Sequence, residues 1–216
     1  MDSPDISTAA PADAEPRLGR RLLGAGLIGV AGSLLTSIAA GAAATTTAAA
    51  TTTTTTPPLR PTADDQVLLG FAQAVELSAL SLYDTALSGT ALDDTGKSVF
   101  ATLRDAHRAY ANSLGAFLGK VAPDAPDADV VSSNEAAFKA ATQADLAKAA
   151  IALENTATAT HTDIVGELQG IDGAKLIASI LIIEARHAIV LSDLAGVTDL
   201  DARLTNDATA LKPKKG

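Results

Sequence analysis

Between Thr62 and Gly196 four stretches follow one another in which apolar residues recur every three or four positions, each long enough for about seven turns of helix. That spacing lines up one face of a helix, and no stretch alternates with period two for long enough to make a strand. The chain is therefore expected to be all-α. The first helix is expected to open at Thr62 as N-cap, with Asp64 and Asp65 in its first turn, and to run to about Leu87. The second runs from around Asp94 and stops before Pro123. The third covers Gln143 to Leu168, stopped by Gly170, after a short helix expected within "SSNEAAFKAA". The fourth begins at Asp172, read as its cap, and ends by Gly196.

The connections set the topology. A few residues around Gly89 to Asp93 join the first two helices, and "QGIDG" joins the last two, so each pair must be an antiparallel hairpin. The link between hairpins, "APDAPDADVVSSN" from Ala122, is longer and holds two prolines. Extended at about 3.3 Å per residue it reaches about 40 Å, the full length of such a helix. Two hairpins joined by one long crossover are expected, rather than a simple up-down bundle.

The expected buried face of every helix carries a chemical anomaly near its middle. The faces read Leu69, Ala72, Glu76, Leu80, Tyr83, Leu87; then Phe100, Leu103, His107, Tyr110, Leu114, Phe117, Val121. The third and fourth read Ala150, Glu154, Ala157, His161, Ile164, Leu168 and Ile177, Ile180, Glu184, His187, Leu191, Leu194. All three histidines of the chain lie on these faces. A lone buried carboxylate is costly and would point to a misread face. Four helices making the same departure at the same depth point instead to a polar centre inside the bundle. Nearly equal sequence separations divide Glu76 from His107 and Glu154 from Glu184, as expected of a pseudo-symmetric site.

A glutamate and a Glu-x-x-His on paired helices make the chain similar to the ferritin-like di-iron carboxylate proteins. From Thr62 to Gly196 it resembles that superfamily, and especially its exported bacterial members, with "AVELSALSLYDTAL" as first helix and "IEARHAIVL" as fourth. The resemblance implies a ferritin-like four-helix bundle. It makes Glu76 and Glu154 the ligands of the first and third helices and Glu184 with His187 the pair of the fourth. Tyr83 matches an aromatic beside the site. The second helix departs from the pattern. "HRAY" puts His107 at the glutamate position and Tyr110 at the histidine position, while Asp105 lies about 160° from His107 around the helix. His161 stands where relatives often carry tyrosine. Tyr83, Tyr110 and His161 are thus expected around the ligands rather than among them.

Three carboxylates instead of four alter the metal expected. Two divalent ions would leave a net charge in a low-dielectric core, and imidazole does not bridge ions as a carboxylate does. One ion of Fe, Mn or Zn is favoured over two, held by Glu154, Glu184, His187 and His107, with Glu76 completing or neutralising the site. A single ion does not supply the electrons of a dinuclear oxidase, so redox or metal sequestration without catalysis is expected, a di-iron-type oxidoreductase being the enzymatic alternative. The other reading is a metal-free structural or interaction bundle, whose Glu, His and Tyr side chains satisfy one another.

Ahead of the bundle, Arg17, Arg20 and Arg21 precede the uncharged stretch Leu22 to Ala44, which ends in small residues suited to signal cleavage. Residues 1–44 are expected to be an export signal, and Arg20-Arg21 followed by two leucines resembles a twin-arginine signal. A Sec signal or an uncleaved anchor is the alternative, and either would be the sole membrane contact. Residues 45–61, rich in Thr and Pro, are expected to be a linker, and 197–216 a frayed tail. A net charge of −9 argues against nucleic-acid partners, and the lack of cysteine removes disulfides and thiolate ligands. Apolar residues beyond the buried faces, such as Leu181 and Ile182 on the fourth helix, are candidates for a homodimer face that the sequence does not locate.

Overall fold

A computed structural model describes residues 56–214; the expected export signal and the Thr-rich tract as far as Thr55 lie outside them. Four long helices, α1 (Ala63–Ser88), α2 (Asp94–Leu118), α4 (Gln143–Glu167) and α5 (Ile171–Leu194), are accompanied by two short ones, α3 (Ala128–Asn134) and α6 (Leu200–Leu204). No strand occurs among the described residues. The helices start where side chains satisfy the first free N–H groups. Thr62 and Asp65 form a reciprocal capping box on α1, Asp93 accepts from Gly96 N on α2, and Thr142 accepts from Asp145 N on α4.

The fifth helix starts differently from the expectation. Asp172 is not its cap; Gly170 is, and no side chain of the helix's own caps it. Ile171 N and Asp172 N donate instead to the carbonyls of Pro58 and Leu59, at 3.0 and 3.1 Å. Buried Asp65 accepts from Gln169 N and Gly170 N at 2.8 and 2.9 Å. The residues before α1 and its first turn therefore complete the start of α5. The approach needs glycine at 170, since a Cβ there would sit 2.9 Å from the Arg60 carbonyl oxygen.

The crossover is not extended. Asp127 caps α3, which begins earlier than the short helix expected from the sequence, and a 3-10 turn at Ala137–Lys139 follows. Val130 and Phe138 anchor it by burial. Gln73 fixes its first residues, donating to Asp124 Oδ1 at 2.7 Å and accepting from Asp124 N at 3.2 Å. Those bonds hold Asp124 at a positive φ of 47°. Asp127 N donates to Ser78 Oγ at 2.9 Å.

Helix α1 packs on α2 and α4 on α5, giving the two expected hairpins, with α1 also on α4 and α2 on α5. On α1 the core side is taken by Val75, Ala79, Leu82 and Ala86 rather than by Leu80 and Leu87, which are half-buried, because α3 and the turn after it also cover this helix. Val121 lies past the end of α2 and is exposed. On α5, Leu181 is half-buried and Ile182 exposed. The tail is not frayed: Asn206 Nδ2 donates to the Asn155 carbonyl and Leu211 N to Thr160 Oγ1, both at 2.9 Å, which lays it along α4. Two apolar clusters fill the bundle. One gathers Leu82, Phe100, Phe138, Leu153 and Leu191, the other Leu69, Leu114, Ile164, Ile177 and Ile180. On each long helix the polar residues fall between the positions that feed the two clusters.

Candidate metal centre

The layer between the clusters is built by one carboxylate from α1 (Glu76), one imidazole from α2 (His107), and two residues each from α4 (Glu154, His161) and α5 (Glu184, His187). Separations of seven residues on α4 and three on α5 keep each pair on one helical face. Five of the six are fully buried and His187 is 7% exposed. Their chemistry falls into two triads whose candidate donor atoms lie within 4.8 Å of one another: His107, Glu154 and His187, and Glu76, His161 and Glu184.

The first triad closes on itself. His107 Nε2 lies 3.0 Å from Glu154 Oε1, and His187 Nδ1 lies 3.2 Å from Glu154 Oε2. Tyr83 donates its hydroxyl to Glu154 Oε1 at 2.5 Å and stacks on the His107 ring. Burial alone would raise the Glu154 carboxyl, but His107 and His187 outweigh it and hold it down to about 2. Burial opposes a charged His107, yet Glu154 and Glu76 hold its pKa well above the ordinary value. Burial and the Glu154 charge raise the Tyr83 phenol well above its ordinary value, so it stays a donor.

The second triad does not close. His161 Nδ1 lies 2.7 Å from Glu184 Oε2, and His107 Nδ1 reaches Glu76 Oε2 at 2.8 Å. Glu76 Oε1, His161 Nε2 and Glu184 Oε1 are buried without hydrogen-bond partners, and His161 Nε2 stands 3.4 Å from Glu76 Oε1. Burial, reinforced by the Glu76 and Glu154 charges against the pull of His161, raises the Glu184 carboxyl to about 8. A buried imidazole and two buried carboxylates, each with an unsatisfied donor atom and grouped within 4.8 Å, fit a divalent cation.

All eight residues singled out from the sequence are at or beside this layer. The set expected to hold one ion is divided, with Glu154, His187 and His107 in one triad and Glu184 in the other. His161, expected around the ligands, is placed with Glu76 and Glu184. Its position on the same α4 face as Glu154, two turns on, was the available signal. Tyr110, half-buried, packs its ring near His107 and His187. Asp105 is exposed and pairs with Arg104 and Arg108.

Residues 33–197, most of the 216-residue chain, match the family described as ferritin-like domain. No curated protein and no solved structure matches the chain. Two helical hairpins closing over a buried Glu/His layer are what that match leads one to expect, and the chain belongs to the ferritin-like domain family.

Proposed function

We propose that the chain is an exported ferritin-like protein that holds one divalent ion of Fe, Mn or Zn at Glu76, His161 and Glu184. The observation that carries this reading is the trio of unpartnered buried atoms, one from each of these residues. Leaving such atoms unsatisfied costs about 1–3 kcal/mol each, a penalty that a shared cation removes. The other oxygens of the two carboxylates are already held, Glu76 Oε2 by His107 and Glu184 Oε2 by His161, and such outer bonds orient metal ligands. The orphaned atoms move the proposed ion away from the Glu154–Glu184–His187 set favoured by sequence.

His107 supports one ion rather than two. Both of its ring nitrogens face carboxylate oxygens, and an ionised carboxylate only accepts, so both nitrogens donate and the ring is an imidazolium. Its charge and that of one divalent ion balance Glu76, Glu154 and Glu184. A second ion would leave the core positively charged. Iron or manganese would supply one-electron redox chemistry when bound, and zinc would not. Full enclosure of the three donor residues suits holding a metal more than turning over a substrate. The basic flank and uncharged stretch at the N-terminus support export, and a twin-arginine route fits a bundle that folds and loads before leaving the cytoplasm.

A second reading rests on the other triad, which with Tyr83 is satisfied without metal and could be the whole purpose of the layer. Elemental analysis separates the two. The chain is purified without chelators, reconstituted with Fe, Mn and Zn in turn, and compared with the His161→Ala, Glu184→Ala double variant. Near one equivalent in the parent and none in the variant is expected. A parent that stays metal-free after all three reconstitutions would falsify metal binding and leave the structural bundle.

A further inference from the structure

A buried ion must have a way in, and the six site residues differ in a manner that marks it. Glu76, His107, Glu154, His161 and Glu184 have no exposed surface; His187 alone reaches solvent, at 7%. Beside it lies Tyr110, whose ring is nearly parallel to His187, with centroids 6.5 Å apart and planes at 21°. The same ring meets His107 edge-on at 6.2 Å. Tyr110 is half-buried, so one side of it faces the polar layer and the other the solvent. Displacing the ring by a change of rotamer would uncover His187 first and His107 next. Behind His107 stands Glu76, bonded to it at 2.8 Å and a member of the triad with open donor atoms.

We propose that Tyr110 and His187 form the mouth of the centre, and that the Tyr110 ring is a gate whose displacement limits how fast an ion enters or leaves the Glu76–His161–Glu184 triad. The ion passes His187 and the edge of the His107 ring to reach Glu76, to which His107 is bonded. The competing approach is a cleft of about 280 Å³ between α4, α5 and the α6 segment. Thr158, Ala185, Arg186 and Ala188 are among its lining residues, and none of the six site residues is. A tyrosine at this position of α2 is itself a departure from the Glu-x-x-His pattern, so the gate belongs to this chain's own sequence.

The proposal rests on the metal-binding reading, and two measurements keep the failures apart. The first needs no metal. Diethyl pyrocarbonate acylates accessible imidazoles, and mass spectrometry of peptides from the full chain reports each histidine separately. His187 is expected to react slowly in the parent, with His107 and His161 protected. Tyr110→Ala should speed the His187 reaction about tenfold, whereas Tyr110→Phe, which keeps the ring, should match the parent. The second follows Zn uptake, and its removal by a chelator, in the same three proteins. Tyr110→Ala should accelerate both about tenfold and leave the final equivalents unchanged. Equal rates in all three proteins, or His161 labelled as fast as His187, would overturn the gate. Metal absent from every protein, with the labelling pattern as expected, would keep the mouth and discard the ion, sinking the metal reading together with the role assigned to the gate. Circular dichroism of the Tyr110→Ala protein checks its fold, and a Tyr110→Leu variant replaces it if that fold is lost.

Discussion

At the scale of single residues, His107 decides how much positive charge the layer already contains. It spans Glu76 and Glu154 at 2.8 and 3.0 Å and does the work of a cation between two carboxylates that would otherwise repel. Placing a carboxylate at this position removes the internal charge and adds a ligand able to bridge. The His107→Glu protein is therefore expected to bind close to two equivalents of divalent metal where the parent binds one. Without metal it should be less stable by about 3–5 kcal/mol, the cost of stripping a buried charge of its partner. Elemental analysis and thermal unfolding with and without Zn check both outcomes. An unchanged stoichiometry would mean that His107 is not what limits the site to one ion. Tyr83 acts on the same network from outside it, since its neutral phenol occupies one acceptor position of Glu154 and leaves that oxygen less free for an ion.

At the scale of elements, the ends of the helices carry as much of the architecture as their faces. Asp65 joins three segments: it caps α1 by accepting from Thr62 N at 2.8 Å, and it holds the α4–α5 turn by accepting from Gln169 N and Gly170 N. Burial would raise its carboxyl, but these three backbone donors outweigh that and lower it below its ordinary value of 3.8. A depressed folded-state pKa stabilises the fold above the unfolded value, and that stabilisation is lost as pH falls through the folded value. Asp65→Asn should therefore lower stability at pH 7 by about 2–4 kcal/mol, from the lost charge-assisted bonds and one mispaired donor. The gap between parent and variant should narrow as the pH is taken below about 4. Urea unfolding across that range is the check, and a pH-independent gap would assign the loss to packing alone.

Across the whole molecule, the bundle is closed at both ends of its chain by segments outside the four long helices. Pro58 and Leu59 complete the start of α5, and the segment after Gly196 runs back along α4. Arg203 reaches the Asp193 carboxylate and the Ile189 carbonyl, Lys212 reaches Asp163, and Leu211 packs on the apolar cluster. The lysine pair is exposed and contributes little. The backbone and apolar contacts matter more. Removing residues 198–216 should lower stability by about 2 kcal/mol while leaving helix content nearly intact, which denaturant unfolding with circular dichroism will read. The same truncation removes one wall of the cleft between α4, α5 and α6, so unchanged metal-exchange rates in it are expected if the ion passes at Tyr110.

The sequence by itself determined the positions of the four long helices, the pairing into hairpins and the depth of the polar layer. These follow from local quantities: a period of three to four, a cap, a short or long connection, and the register of Glu76, His107, Glu154 and Glu184 along their own helices. Tertiary structure alone decided how the layer is divided. Whether His161 sits beside the ligands or among them depends on how α4 is rotated against α1 and α5, and a few tens of degrees exchange one neighbour for another. The start of α5 differs from the expected cap at Asp172 because its partners are Pro58, Leu59 and Asp65, over a hundred positions earlier in the chain, where no local pattern points to them. The anchors of the crossover and the tail, Gln73 and Ser78 for one and Asn155 and Thr160 for the other, are side chains and carbonyls on helices already formed, so no local pattern reveals them. Periodicity reports which face of a helix is buried; only the packed bundle sets which atoms on that face meet.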